Sequence, residues 1–299
     1  MLGSALGDAI GELAFRYPRL DLLETAVEHR VELRYTDDTA MAIGLAESIL
    51  ENRGIDTQHL GDTFRADYER EPWRGYAGGP PTVFSRARQE GIPYVQASKD
   101  LFGGNGSFGN GAAMRIAPLG LFFHRSQDLY AQAAASARVT HAHPAGMDGA
   151  AVQAFAVAEA AKLDPEEAIR ADVLAQKLTE FARTPEIRQK MALVKNLIAE
   201  KASPEAAAEK IGRTVAVHQS MPFAIYSFLT HPHSFRRCLF CAVLNGGDRD
   251  TLGAMAGALS GSYLGLRAIP EAWREKLENR EYIAQLASLL SQLHERLFS

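Results

Sequence analysis

The sequence predicts an all-α protein, and three observations carry that expectation. First, Asp164-Pro165-Glu166, Thr184-Pro185-Glu186 and Ser203-Pro204-Glu205 share one helix-start signal. Each sets a capping oxygen before a proline at the first helical position and an acid in the first turn. Second, Ala- and Leu-rich stretches, such as 150–163 and 280–298, run between such signals. Third, no series of alternating strands is present, which argues against a parallel α/β sheet. Nor does any repeat recur at a period of roughly 20–50 residues.

Taken in chain order, the first element carries Gly3, Gly7 and Gly11 at every fourth position. A later one repeats the device with Gly253, Gly257, Gly261 and Gly265. Each glycine costs a helix about 1 kcal/mol relative to alanine, so a row of them predicts close packing between helices in the core. Between these elements, Tyr35-Thr36-Asp37-Asp38-Thr39 stands at the start of a helix running to about Asn52. Two stretches, 71–81 and 102–111, are strongly non-helical and mix glycine with aromatics. Linkers are polar throughout, so these read as functional loops. Residues 235–243 read as a buried helix carrying Cys238 and Cys241. Two cysteines exclude a disulfide framework, and their setting favours small apolar core thiols over a redox pair.

The composition, 46% hydrophobic and 23% charged, is that of a folded cytosolic chain. A net charge of −4 offers no basic groove for a nucleic-acid duplex. No apolar run approaches the ~20 residues of a membrane span. Nor does Met1-Leu2-Gly3-Ser4-Ala5 begin a secretory signal. A cytoplasmic protein without membrane partners is the expectation. A length of 299 residues admits one large domain or two ordinary ones.

Two acidic clusters are the chemical candidates: Thr36, Asp37 and Asp38, and Gly246-Gly247-Asp248-Arg249-Asp250-Thr251. Either one taken singly reads as a helix N-cap. A cap needs one oxygen, however, and each cluster supplies two carboxylates and a hydroxyl. Four gathered carboxylates repel one another unless cations sit among them. The donors are hard oxygens without histidine or thiolate, which favours Mg²⁺ or Mn²⁺ over Zn²⁺. Two clusters suit a pair of ions. The second loop holds five glycines between 103 and 111 and no lysine, so it is not the nucleoside-triphosphatase loop. Its backbone N–H groups can still cradle a pyrophosphate, and Phe102 and Phe108 can stack on a base. A glycine-rich turn with core aromatics is the alternative. His141 and His143 flank Ala142 and make a poor zinc signature; a structural histidine is the plainer reading of each.

At this point the motifs resemble the ADP-ribosylglycohydrolase family, and within it they look nearest to the type-3 ADP-ribosylhydrolases. The dinitrogenase reductase-activating glycohydrolases are more distant. The resemblance rests on Gly7-Asp8-Ala9-Ile10-Gly11, Tyr35-Thr36-Asp37-Asp38-Thr39-Ala40-Met41, Arg74-Gly75-Tyr76, residues 106–115, Thr140-His141-Ala142, Ala224-Ile225-Tyr226 and residues 246–251. It implies a single domain over 1–299, folded as an orthogonal helical bundle around a central binuclear Mg²⁺ site. The implied metal ligands are Thr36, Asp37, Asp38, Asp248, Asp250 and Thr251. Gly106, Ser107, Phe108, Gly109 and Asn110 map to the pyrophosphate loop, Phe102 and Phe108 to aromatic positions near adenine, and His141 to a histidine near the distal ribose. There is one departure. The type-3 enzymes carry a mobile glutamate four residues after the second glycine of the Gly-Asp-x-x-Gly motif, and Phe15 stands there in this chain. Glu12 is the nearest acid and the substitute candidate.

The implied reaction is Mg²⁺-dependent cleavage at the anomeric carbon of the distal ribose, through an oxocarbenium-like transition state. ADP-ribose would leave a serine- or arginine-linked protein, poly-ADP-ribose or O-acetyl-ADP-ribose. Glu12, Asp38 or Asp250 would activate water or protonate the leaving group. The expected partners are ADP-ribose and ADP-ribosylated proteins, and a monomer is favoured. Two other readings remain open: a metal-dependent phosphohydrolase of a nucleotide sugar, and a catalytically weak ADP-ribose-binding protein.

Overall fold

In the computed structural model, which describes residues 1–298, the chain forms helices from end to end. In order these are α1 (Leu2–Arg16), α2 (Leu20–His29), α3 (Asp37–Asn52), α4 (Thr57–Arg70), α5 (Gly79–Glu90), α6 (Tyr94–Lys99), α7 (Leu101–Gly104), α8 (Gly111–Met114), α9 (Ala117–Phe122), α10 (Leu129–Arg138), α11 (Pro144–Ala160), α12 (Ala171–Phe181), α13 (Pro185–Ala199), α14 (Pro204–Ile211), α15 (Val217–Thr230), α16 (Phe235–Leu244), α17 (Arg249–Leu264), α18 (Glu271–Lys276) and α19 (Arg280–Phe298). Among the described residues extended pairing is limited to two isolated bridges, Leu33 with Leu277 and Gly109 with Ala216. The all-α expectation is met. No helix of the described residues is long and apolar enough to cross a membrane.

Local chemistry explains several of the boundaries. The Ser203 hydroxyl caps α14 by accepting from the Ala206 N–H, and Pro185 opens α13 directly after Thr184. The third signal behaves differently. Asp164 closes a turn by accepting from the Glu166 N–H, and the next helix, α12, begins only at Ala171. Residues 161–168 are exposed, so no apolar face is there to be buried. A start signal without a packing partner does not meet the cost of nucleation. The first non-helical stretch is also shorter than expected, because Gly79-Pro80-Pro81 already begins α5. There the proline sits where its missing N–H costs nothing.

The bundle centres on α11 and α17, which are buried around nearly their whole circumference. Helix α17 packs against α1, α11, α15 and α16, and its contact with α1 is the most extensive in the molecule. The glycine rows make that contact. A Cβ on Gly7 would lie 1.9 Å from the Gly253 carbonyl oxygen, and one on Gly253 would lie 2.1 Å from the Gly7 oxygen. Gly3 and Gly257 face each other in the same way, at 2.5 and 2.2 Å. The two backbones therefore touch, a spacing any side chain would block. Gly265 departs from the row: it follows the end of α17 with φ +73° and serves as a C-terminal stop. The consequence for function is positional. Gly11 abuts the backbone of Arg249 and Asp250, so the α1–α17 contact brings Asp8 to the start of α17.

Candidate active site

Thr36 is the N-cap of α3, and its hydroxyl accepts weakly from the Asp38 N–H at 3.4 Å. Capping thus occupies the threonine and leaves both carboxylates for other work. The organising group is Asp8 of α1, which is fully buried. Its oxygens accept from the Thr36 N–H (3.0 and 3.1 Å), the Thr36 hydroxyl (2.8 Å), the Thr39 N–H (3.0 Å) and the Thr39 hydroxyl (2.6 Å). Asp8 therefore pins the loop before α3 to α1. From the other side, Arg74 donates to the Tyr35 carbonyl at 3.0 Å and forks onto Glu278 at 2.7 and 2.9 Å. The Arg74 carbonyl accepts from the Asp37 N–H at 2.8 Å. Bidentate arginine pairs of this kind fix geometry as well as charge.

The two acidic clusters meet. The Thr251 hydroxyl on α17 lies 3.5 Å from Asp38 Oδ2, and Asp38 Oδ1 is buried without any hydrogen-bond partner. Burial raises the Asp38 carboxyl well above its usual range, and the neighbouring Asp8, Asp250, Asp37 and Asp248 raise it further. Asp37 and Asp250 shift upward for the same reasons, burial first and then like charge. Asp8 also shifts upward through burial, against the opposing pull of its threonine hydrogen bonds. Five carboxylates thus crowd one region, with Asp8, Asp37 and Asp38 buried, and Arg115 is the cation that eases Asp37. An orphaned carboxylate oxygen amid like charge is a place where a cation would lower the energy. The donors are all oxygens, which suits Mg²⁺. Among the described residues no three His, Cys, Asp or Glu side chains converge into a ready-made cage.

A cleft of about 550 Å³ opens over these acids. Asp37, Asp38, Asp248, Asp250 and Thr251 form its floor; Gly75 with Ala77 to Pro80, and Ser107 with Gly109 to Gly111, form opposing walls, joined by Leu101, Phe102, Met114, His141 and Val215. The glycine-rich loop is tied to the acids directly. The Asn110 amide donates to Asp248 Oδ2 at 2.7 Å and to the Ser220 hydroxyl at 3.1 Å. The loop backbone is anchored by Asn110 N–H to Val215 O (2.9 Å) and Val217 N–H to Phe108 O (3.0 Å). Gly106 has φ +70°, and a Cβ there would strike the His143 nitrogen at 2.6 Å, so only glycine turns the chain at this point. His141 is buried in the wall, and burial, aided by the nearby Arg115 charge, pushes its imidazole down to about 3. It is neutral at physiological pH.

The structure gathers most of the expected residues and separates three. Asp37, Asp38, Asp248, Asp250, Thr251, Phe102, Ser107, Gly109, Asn110 and His141 line one cleft, with Thr36 directly beneath. Gly106 shapes the loop from behind the wall. Phe108 points away from the cleft, half-exposed, with its ring 5.4 Å from that of His143 and 5.9 Å from that of His218. It is therefore not placed to stack on a ligand in the cleft. Glu12 is the main correction. It is exposed, and it lines a separate groove of about 740 Å³ beside Arg16, Arg30 and Arg34. It sits one turn beyond Asp8 on the same face of α1, level with the first residues of α17, which Gly11 abuts. Phe15 is 49% exposed. Sequence reasoning missed Asp8, Arg74 and Arg115 as site-forming residues. The signal for Asp8 was its place beside Gly7 and Gly11, in the stretch of α1 that packs on α17. No sequence signal pointed to the Arg74–Glu278 pair, whose partners are far apart in the chain.

Three comparisons with known proteins bear on this cleft. A family model described as ADP-ribosylglycohydrolase matches residues 1–297. The chain is 32% identical to "ADP-ribosylhydrolase ARH3" of Mus musculus, over 98% of this chain and 90% of that protein. It is 30% identical to the Homo sapiens protein of the same name, over 99% and 93%. A protein of Archaeoglobus fulgidus described as uncharacterized is 31% identical over 99% and 96%. Among solved structures, an "ADP-ribosylglycohydrolase-related protein complex" superposes with a TM-score of 0.73 at 26% identity, covering 98% of this chain and 95% of that one.

Proposed function

The chain belongs to the ADP-ribosylglycohydrolase family, and from that premise we propose that it is a Mg²⁺-dependent hydrolase releasing ADP-ribose from a modified acceptor. The observation that carries the proposal is the cleft itself: a glycine-rich wall facing a floor of four crowded carboxylates, of which Asp38 is buried with one oxygen unpartnered. An anionic pyrophosphate and a cluster of acids are incompatible neighbours unless cations lie between them. Membership makes the chain a hydrolase of ADP-ribosyl glycosidic bonds; the metal, the residues that hold it and the acceptor are the proposal.

Asp37, Asp38, Asp248, Asp250, Thr36 and Thr251 would hold the ions. Bound Mg²⁺ supplies charge compensation and Lewis-acid polarisation of oxygen. Asp8 keeps the Thr36 loop rigid, and Asn110 holds the pyrophosphate loop in register with Asp248. The Ser107, Phe108 and Gly111 N–H groups would bind the pyrophosphate, those of Gly109 and Asn110 being held by Ser107 and Val215, and Phe102 offers an apolar face to the base. Asp38 or Asp250 would take or give the proton at the glycosidic oxygen. Glu12 has no part in this scheme.

One observation favours a second reading, ADP-ribose capture without efficient turnover: the family's acid position is Phe15, and Glu12 lies outside the cleft. Incubation with serine- and arginine-linked ADP-ribosyl peptides, with Mg²⁺ and with EDTA, separates the readings. Release of intact ADP-ribose, abolished by EDTA, is expected. Release of AMP would mark a phosphohydrolase, and tight ADP-ribose binding without release would mark a binding protein.

A further inference from the structure

Behind the cleft wall, a buried arginine reaches His141 through one hydroxyl. Arg115 is fully buried and lies with its guanidinium carbon 4.4 Å over the Phe64 ring. Its Nη2 donates to the Thr140 hydroxyl at 2.9 Å and to the Ser136 carbonyl at 3.3 Å. The Thr140 oxygen is in turn 2.8 Å from His141 Nδ1. These are the two partners of that hydroxyl, and Thr140 has no exposure to water.

Hydrogen-bond direction then follows from donor chemistry. A guanidinium only donates, so the Thr140 oxygen accepts from Arg115. The threonine hydrogen needs an acceptor, and Nδ1 of His141 is the one in reach. If Nδ1 carried a proton instead, the buried hydroxyl hydrogen would have nowhere to go, a loss of about 1–3 kcal/mol. A neutral imidazole that accepts at Nδ1 carries its proton at Nε2. That edge is packed between two glycines of the pyrophosphate loop: a Cβ on Gly111 would lie 3.0 Å from Nε2 and one on Gly109 would lie 3.3 Å from it. The side chain lines the cleft.

We propose that Arg115 and Thr140 are positioning residues that lock His141 as a neutral Nε2–H donor aimed into the ligand cleft, so that His141 binds and orients the ligand and exchanges no proton with it. The inference deepens the ADP-ribose reading and rests on it for the identity of the ligand. It gives the deeply buried Arg115 a role beyond its partial compensation of Asp37. It also accounts for glycine at 109 and 111, where any side chain would crowd the donor edge.

Nitrogen NMR of the histidine rings in the full chain tests the lock without any substrate, the His141 signals being identified by their loss in His141→Gln. The expected result is a protonated Nε2 and a bare Nδ1 in the parent and in Thr140→Ser. Thr140→Val, which keeps shape but removes the hydroxyl, should lose that state and bind ADP-ribose about 10-fold more weakly, with Thr140→Ser restoring affinity. A proton on Nδ1 in the parent would overturn the proposal. So would a tautomer change in Thr140→Val that leaves ADP-ribose affinity untouched. If the parent shows the expected tautomer but binds no ADP-ribose, the lock stands and the ligand assignment fails.

Discussion

Asp38 concentrates the electrostatic cost of the site, since one of its oxygens has no partner and four other aspartates face it. Removing its charge should therefore have opposite effects on turnover and on metal-free stability. Asp38→Asn is expected to lower ADP-ribose release by about 10²–10³-fold, the usual consequence of losing one preorganised electrostatic group. The same change should raise the unfolding midpoint in EDTA, because like-charge repulsion falls. Urea unfolding beside a peptide-release assay checks both, and a variant less stable than the parent in EDTA would show that Asp38 is already compensated. The two loop phenylalanines make a second pair. Phe102 lines the cleft and is 67% exposed, with a left-handed backbone at φ +52° that holds its ring outward. Phe102→Ala should weaken ADP-ribose binding by the ~1–3 kcal/mol of a base stack. Phe108→Ala should leave it nearly unchanged, since that ring packs between His143 and His218. Calorimetry distinguishes them, and equal losses would mean that the loop rearranges on binding.

Among the elements, the α1–α17 pair does the most to create the site. Its glycines let two backbones touch, and that contact sets Asp8 beside Asp38 and Asp250. Gly7→Ala puts a methyl 1.9 Å from a backbone oxygen that no side-chain movement can relieve. The over-packing cost, typically about 1–3 kcal/mol or more, exceeds the gain of about 1 kcal/mol in helix propensity. The variant should be destabilised and should lose metal-supported turnover together with stability. Gly54→Ala is the control, because the nearest atom to a Cβ there is 3.9 Å away. Thermal unfolding of the two variants checks this, and a Gly7→Ala protein as stable as the parent would mean that the helices separate at no cost. The glycine spacing was legible in the sequence as a helix–helix contact. Which helix met which was not, because spacing describes one surface and packing needs two.

Considered whole, the molecule is a bundle whose central polar region is under-compensated in charge. Ligands that bind only the folded chain stabilise it by mass action. With free Mg²⁺ at about 100 times its Kd the gain is about 2.7 kcal/mol, a midpoint increase of roughly 5 °C for a chain of this size. Scanning calorimetry in Mg²⁺, in EDTA and in Mg²⁺ plus ADP-ribose should give three rising midpoints, with EDTA lowest. Identical midpoints in Mg²⁺ and EDTA would remove the metal from the folded state.

Helix start signals, glycine rows and the two acidic motifs are local features, and they were enough to determine the all-α class, several helix starts and the residue types of the cleft floor. Ligand type is a property of residue identity, so hard-oxygen donors read the same in a string as in a fold. The tertiary structure decided everything that depends on which faces meet. It moved Glu12 out of the cleft, turned Phe108 away from it, and brought Asp8, Arg74 and Arg115 in from three separate segments. A side chain's direction on a helix is set by the helix's rotation against its neighbours, and that rotation is fixed by packing across the whole core. Asp8 and Glu12 share a face of α1 one turn apart, yet the segment from Thr36 to Thr39 covers the first and the second stands in water.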